Sequence, residues 1–294
     1  MTRMLLAGTL AALIVIILGP LFIRWAQRRE FGQEFREDGP KSHAVTKKGT
    51  PTMGGLLILA LITVFLGYAS TQILGITTVL EIPFTSNSAG SNAITWDLQW
   101  GWYILLFFVL AGTANCVNLA DGLDGLAATT VVISLTAFTA IAFVLWDRRL
   151  TGFFPLSIDQ AGALDIAIFC ASLGGALIGF LWWNAYPAKV FMGDTGSLAM
   201  GGALAALAVV LKVELLLAII GGVFVVEGLS VMLQTTVFKL SRRFRGEPKR
   251  LFLMAPIHHH FELKNWSETQ IMVRFAIVAS LFSATGFTIW FRTH

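Results

Sequence analysis

Charge is what this sequence has least of. Asp, Glu, Lys and Arg make up 13% of its 294 residues, against 56% hydrophobic residues and a mean hydropathy of +0.74. A soluble globular domain carries about a quarter charged residues, so this scarcity excludes that class and the chain reads as an integral membrane protein. Cysteine is scarce too. Cys116 and Cys170 both fall inside apolar runs, which argues against a disulfide framework. Long polar stretches are also missing: the largest pieces between apolar runs, about 25–52, 74–99 and 238–270, are too short to build a core of their own. The middle piece contains "EIPFTSNSAGSNAITWD", rich in Ser, Asn and Gly, and reads as a loop or short hairpin.

Apolar runs fill the rest. Those long enough to cross the hydrocarbon core, or nearly so, lie at about 4–24, 53–73, 100–119, 126–146, 164–183, 197–211, 215–237 and 271–291. The expected fold class is all-α, a single polytopic bundle of about eight transmembrane helices. The first run has no small-residue cleavage site behind it and reads as a retained span. An even number of spans puts both termini on one side. With the termini outside, sixteen of the 21 Lys and Arg residues fall in cytoplasmic connections or helix ends, leaving Arg3, Arg148, Arg149, Lys212 and Arg292 outside. The same bias accounts for the net charge of +4 by attraction to anionic lipid, with no need of nucleic acid. The segment 238–252, "FKLSRRFRGEPKRLF", alternates apolar and basic residues and is expected along the inner membrane surface.

Four polar clusters collect on the cytoplasmic side: "KKGTPTMGG" (47–55), "NCVNLADGLDGLA" (115–127), "NAYPAKVFMGDTGSLAMGG" (184–202) and "MAPIHHHFELKNW" (254–266). At one membrane depth they could line one site. Asn115, Asn118, Asp121 and Asp124 recur every third residue, with Gly122 and Gly125 expected to end the helix near Asp121. Polar residues at headgroup level explain this stripe equally well. Asp194, between glycines and just before a helix, suits a place where phosphate meets a metal; a plain N-cap has the same look.

Three consecutive imidazoles point about 100° apart on a helix. His258, His259 and His260 therefore cannot share one metal ion in that conformation, and anion contact or proton transfer fits them better. Glu227 is a carboxylate in the middle of a span and a functional candidate on that ground; Gln234, seven residues on, shares its face, so a polar helix–helix contact is the competing reading. The glycine pairs 174–175, 201–202 and 221–222 read as close-packing positions.

"GTPTMGG", "NLADGLDGLA", "VFMGDTGSLAMGG" and "APIHHHFE", in this order, resemble the phospho-N-acetylmuramoyl-pentapeptide transferase family, within the superfamily of polyprenyl-phosphate N-acetylhexosamine-1-phosphate transferases. The resemblance implies a Mg²⁺-dependent exchange between UDP-MurNAc-pentapeptide and undecaprenyl phosphate that yields lipid I and UMP. It also implies a homodimer in the bacterial inner membrane with a cytoplasmic active site. By motif, Asp194 is the metal ligand, and Gly122, Leu123, Asp124, Phe191 and Lys47 form a uridine pocket. Asn118, Asp121 and Asn184 line the ribose and diphosphate path, with Thr52, Asn115 and Gln234 at its margins. His258, His259 and His260 make phosphate or sugar-side contacts; Asp121, Asp194, Asn118, His258 and His259 are the candidates for catalysis.

One piece of the family pattern is absent. After its second helix the family carries a further span ending in an Asp–Asp pair and a lysine, and then another span; here "TMGGLLILALITVF" runs directly into "LGYASTQILGITTV", and no Asp–Asp pair exists in the chain. Loss of two helices leaves the downstream topology unchanged. It leaves open a catalytically impaired member that binds nucleotide only. A relative acting on another UDP-N-acetylhexosamine would share the aspartate motifs but not "PIHHHFE"; a secondary transporter would show an internal repeat and midplane polar groups.

Overall fold

The computed structural model describes residues 2–28, 79–82, 95–98, 100–147 and 160–293. Its elements are α1 (Thr2–Arg28), β1 (Val79–Glu81), β2 (Thr95–Asp97), α2 (Trp100–Ala120), α3 (Leu126–Trp146), α4 (Gln160–Asn184), α5 (Gly193–Val210), α6 (Glu214–Ile220), α7 (Gly222–Arg245), α8 (Ile257–Glu262) and α9 (Glu268–Thr293). Apart from one antiparallel strand pair, with Leu80 opposite Trp96, every regular element among the described residues is a helix. The two strands stand at the ends of the Ser/Asn/Gly-rich piece, whose residues 83–94 lie outside the described residues. Five helices among the described residues, α3, α4, α5, α7 and α9, are long and apolar enough to cross a membrane; α1 and α2 hold shorter apolar helical stretches. The chain is a polytopic membrane protein. The span expected at 53–73 lies outside the described residues.

In hydrocarbon every backbone group must be bonded internally, so long apolar runs fold as helices. Their few hydroxyls are absorbed locally: Thr130 Oγ1 donates to Leu126 O at 2.8 Å and Ser172 Oγ to Ile168 O at 2.7 Å. Small residues then let helices approach. A side chain at Gly175 would run into the backbone of Gly8, and one at Gly179 into that of Ala12, which joins α4 to α1. Gly201 lies in the same way on Thr113 and Ala114, joining α5 to α2, and Gly222 meets the ring of Phe282. Gly174 and Gly202 face open space, so in those two pairs only one glycine packs.

The stretch read as a single span over 215–237 is divided at Gly221 into α6 and α7. The break takes Ile220 O out of the helical ladder, and hydroxyls from two other helices donate to it: Ser283 Oγ at 3.2 Å and Ser134 Oγ at 3.5 Å. α7 then runs on as far as Arg245, so half of the basic segment 238–252 continues this helix.

Helices α2 and α5 run antiparallel. The end of α2 and the start of α5 meet at one end of the bundle, where the three described polar clusters lie; at the other end Lys212 sits over the Trp102 ring, 5.4 Å from its centroid.

Candidate functional site

The site is built where α2 stops. After Ala120 the chain turns through "DGLDG", with Gly125 at φ 75°, a left-handed conformation that costs glycine little, and α3 begins. Asp121 N–H donates to Asn118 O at 3.1 Å as the helix closes. Two clamps between the turn and the end of α4 with its following loop fix the turn. Asn184, last residue of α4 and buried, accepts Gly125 N–H on Oδ1 at 3.2 Å and donates from Nδ2 to Val190 O at 2.8 Å. Asp124, also buried, accepts Ala188 N–H on Oδ2 at 2.9 Å. Turn and 185–192 loop are thereby one unit, and half-buried Phe191 follows directly on the clamped Val190.

That loop leads into α5 through Gly193, at φ 68°. Asp194 stands exposed in the first helical turn, where free N–H groups favour an anion. Across the helix junction Asn118 Nδ2 donates to Asp194 Oδ1 at 3.0 Å and lies 2.8 Å from Ser197 Oγ. Ser197 is buried and donates back to Gly193 O at 3.1 Å. One carboxylate oxygen of Asp194 is held from the side, and the residue remains open to solvent. Sequence reading did not single out Ser197; its place three residues after Asp194, on the same helical face, was the available signal.

The three histidines diverge. His258, wholly buried, places Nδ1 3.1 Å from Glu227 Oε1 and its Nε2 edge against Gly122 Cα, where a side chain would overlap it. His259 bonds Glu262 one turn on. His260 Nδ1 accepts Leu253 N–H at 3.1 Å, and burial, then nearby Lys264, hold its imidazole below the ordinary value of 6.5. Glu227 thus pairs with a histidine 31 residues away and not with Gln234. The carboxamide of Gln234 instead grips the loop before α8: Oε1 accepts Leu251 and Phe252 N–H at 3.0 and 2.8 Å, and Nε2 donates to Phe252 O at 3.1 Å.

Leu123 points inward to a small apolar cluster with Leu126 and Ile271, beside Phe261 and Trp266. Phe261 and Trp266 are stacked at 4.6 Å, and Arg274 lies 3.8 Å above Trp266, which binds α8 to α9. Asn115, exposed, donates to Ala111 O of its own helix at 2.7 Å. Lys47 and Thr52 lie outside the described residues. Among the described residues no group of three or more His, Cys, Asp and Glu is placed to hold a metal ion. Beside the loop gripped by Gln234 a groove of about 570 Å³ combines Lys239 and Arg250 with the apolar side chains of Val231, Phe238, Met254 and Leu263.

The fold and the site define a polytopic membrane protein with a carboxylate open to solvent at one end of its bundle, and the sequence profile of Glycosyl transferase family 4 matches residues 43–212. Several similar proteins are phospho-N-acetylmuramoyl-pentapeptide-transferases. That of Desulfotalea psychrophila is 42% identical over 330 aligned positions, covering 93% of this chain and 88% of the relative. That of Rubrobacter xylanophilus is 38% identical over 349, covering 99% and 98%, and that of Geobacillus thermodenitrificans 40% over 343, covering 97% of each. The chain belongs to the phospho-N-acetylmuramoyl-pentapeptide-transferase family. These alignments run over more positions than the chain has residues, so the relatives carry residues with no counterpart here.

Proposed function

We propose that the chain transfers phospho-MurNAc-pentapeptide from UDP-MurNAc-pentapeptide to undecaprenyl phosphate, releasing UMP and forming lipid I. The observation that carries this reading is 38–42% identity, across nearly the whole chain, to transferases of that name. The geometry supports it. One reactant is a lipid and the other a soluble nucleotide, and the polar end of an apolar bundle is the boundary where both can be held. The lipid phosphate oxygen attacks the β-phosphorus, a new P–O bond forms, and the bond to the bridging oxygen breaks, so UMP leaves with that electron pair. Such a reaction asks the protein mainly for alignment and charge stabilisation.

The turn at Gly122–Asp124, bonded to the loop that leads to the aromatic Phe191, suits recognition of a uridine. Asp194 suits Mg²⁺, which keeps most of its waters and phosphate oxygens and needs few protein ligands; the ion, when bound, would withdraw charge from the diphosphate. Asn118 holds Asp194, and the free N–H groups of the first turn of α5 would serve a phosphate. The two basic residues and apolar wall of the groove beside Gln234 suit a lipid phosphate with its first isoprene units. Asn184, Gln234, His260 and the Leu123 side chain serve as supports of the walls, their polar atoms or surfaces being engaged within the protein. Asp121, Asn115 and His259 stand at the margins, as do Lys47 and Thr52 by motif.

The orientation follows the basic residues: eight spans, termini outside, site in the bacterial cytoplasm. Impermeant thiol labelling of intact cells should reach Ser88→Cys and spare Glu247→Cys. The homodimer is carried over from the family resemblance. A second reading, nucleotide binding without turnover, is favoured by the residues that the relatives have and this chain lacks. UMP release from UDP-MurNAc-pentapeptide with undecaprenyl phosphate and Mg²⁺, beside equilibrium binding of UMP, separates the two. Turnover supports the transferase, binding without turnover supports the second reading, and absence of both refutes the assignment.

A further inference from the structure

Glu227 is fully buried in the second turn of α7, and its partner His258, fully buried at the start of α8, reaches it across 31 residues of chain. Burying a carboxylate and an imidazole together gives little net stability, since desolvation offsets most of their attraction and an apolar pair of the same volume commonly does as well or better. The pair therefore calls for a role besides cohesion. What it specifies is ring orientation. Nδ1 faces a carboxylate oxygen, and an ionised carboxylate only accepts, so that contact calls for hydrogen on Nδ1; Nε2, on the opposite edge, meets no hydrogen-bond partner within the protein and abuts Gly122. Gly122 belongs to the turn clamped by Asn184 and Asp124, and the missing side chain there makes the room that the ring edge fills.

We propose that Glu227 is a positioning residue of the nucleotide site: it fixes His258 as the Nδ1–H form, with Nε2 seated beneath the Asp121–Asp124 turn, and so sets the height and rigidity of that turn. The inference rests on the reading of this turn as a uridine wall. Carboxylate–imidazole hydrogen bonding is the general means by which one nitrogen of a histidine is committed so that the other is presented in a fixed state. Here the carboxylate comes from the membrane helix and the presented edge supports the turn. The buried first turns of α7 are thereby tied to the nucleotide wall through a single ring.

The test uses the full chain, isotopically labelled on histidine, in detergent or nanodiscs. Nitrogen NMR, with the resonances assigned against His258→Asn, reads the tautomer directly and needs no nucleotide. In the unaltered chain His258 should carry hydrogen on Nδ1. Glu227→Gln keeps an acceptor oxygen and should retain that form, with UMP affinity lowered less than about threefold. Glu227→Leu removes it: the ring should move toward the Nε2–H form that free imidazole side chains prefer, and UMP affinity should fall about tenfold in protein whose melting temperature is not reduced. An Nε2–H ring in the unaltered chain overturns the proposal, as does unchanged UMP affinity in a Glu227→Leu chain whose tautomer has switched. If Glu227→Leu does not fold, the unaltered chain and Glu227→Gln decide: loss of Nδ1–H in either is fatal to the idea. Failure of the unaltered chain to bind UMP, with the tautomer as expected, counts against the nucleotide reading and leaves the ring assignment standing.

Discussion

The helices α2 and α5 are packed together by Gly201 on Thr113–Ala114, yet their two ends are finished in opposite ways. At one end Lys212 and Glu214 are buried, 3.9 Å apart, with the lysine over Trp102. At the other, Asp194 is exposed and held on one side by Asn118. Both ends bring charge to the edge of an apolar bundle. The first turns its charges on each other and excludes solvent; the second holds a carboxylate in a fixed direction and leaves it accessible. Charge that is neutralised within the fold can only stabilise or specify it, whereas charge that is oriented and left open can act on a ligand. The difference separates the closing of the bundle from its chemistry.

Substitutions at the two ends should therefore be read by different instruments. The largest effect is expected for Asp194→Asn, which keeps the shape and the bond from Asn118 while removing the charge. In an assay of UMP release the rate should fall on the order of 10³-fold, comparable to loss of one group that stabilises transition-state charge, and Mg²⁺-dependent binding of UDP-MurNAc-pentapeptide should weaken with the melting temperature unchanged. Undiminished metal dependence in a folded protein would remove Asp194 from the site. Lys212→Met should behave oppositely. It strands Glu214 in a buried position and should cost about 3 kcal/mol of stability, seen as an earlier thermal transition in detergent, with UMP affinity unaltered in the protein that remains folded.

Asn118→Ala probes the junction between the two ends. It removes a hydrogen bond to a carboxylate, an interaction of roughly 1.5–3 kcal/mol, so nucleotide affinity in the presence of Mg²⁺ should drop about 10- to 100-fold while binding without metal changes little. Equal losses with and without metal would mean that Asn118 acts on packing and not through Asp194. The smallest effect concerns pH. Burial and Lys264 depress the His260 pKa, so the folded protein favours neutral imidazole. Its contribution to stability is full above the unfolded value near 6.5 and is lost as pH falls through the folded one. The melting temperature should decline between pH 7.5 and 5.5, and His260→Gln should flatten that decline.

The sequence determined the class of this protein. Low charge and long apolar runs leave only membrane helices, because hydrocarbon offers the backbone no other partner, and the polar motifs stand out against that background with enough specificity to imply the family. Helix ends near Asp121 and Asp194 were legible from glycine and from the change in polarity. Partners were not. Helical spacing shows which residues share a face of one helix, so it placed Gln234 with Glu227; it carries no information on what another helix brings to that face from 31 residues away. Only the tertiary structure decided that Glu227 meets His258, that Gln234 and Asn184 hold backbone, that Leu123 faces inward, and that the span after Glu214 breaks at Gly221. Each of these depends on the three-dimensional approach of separate segments, which close packing and the cost of leaving buried backbone groups unbonded decide.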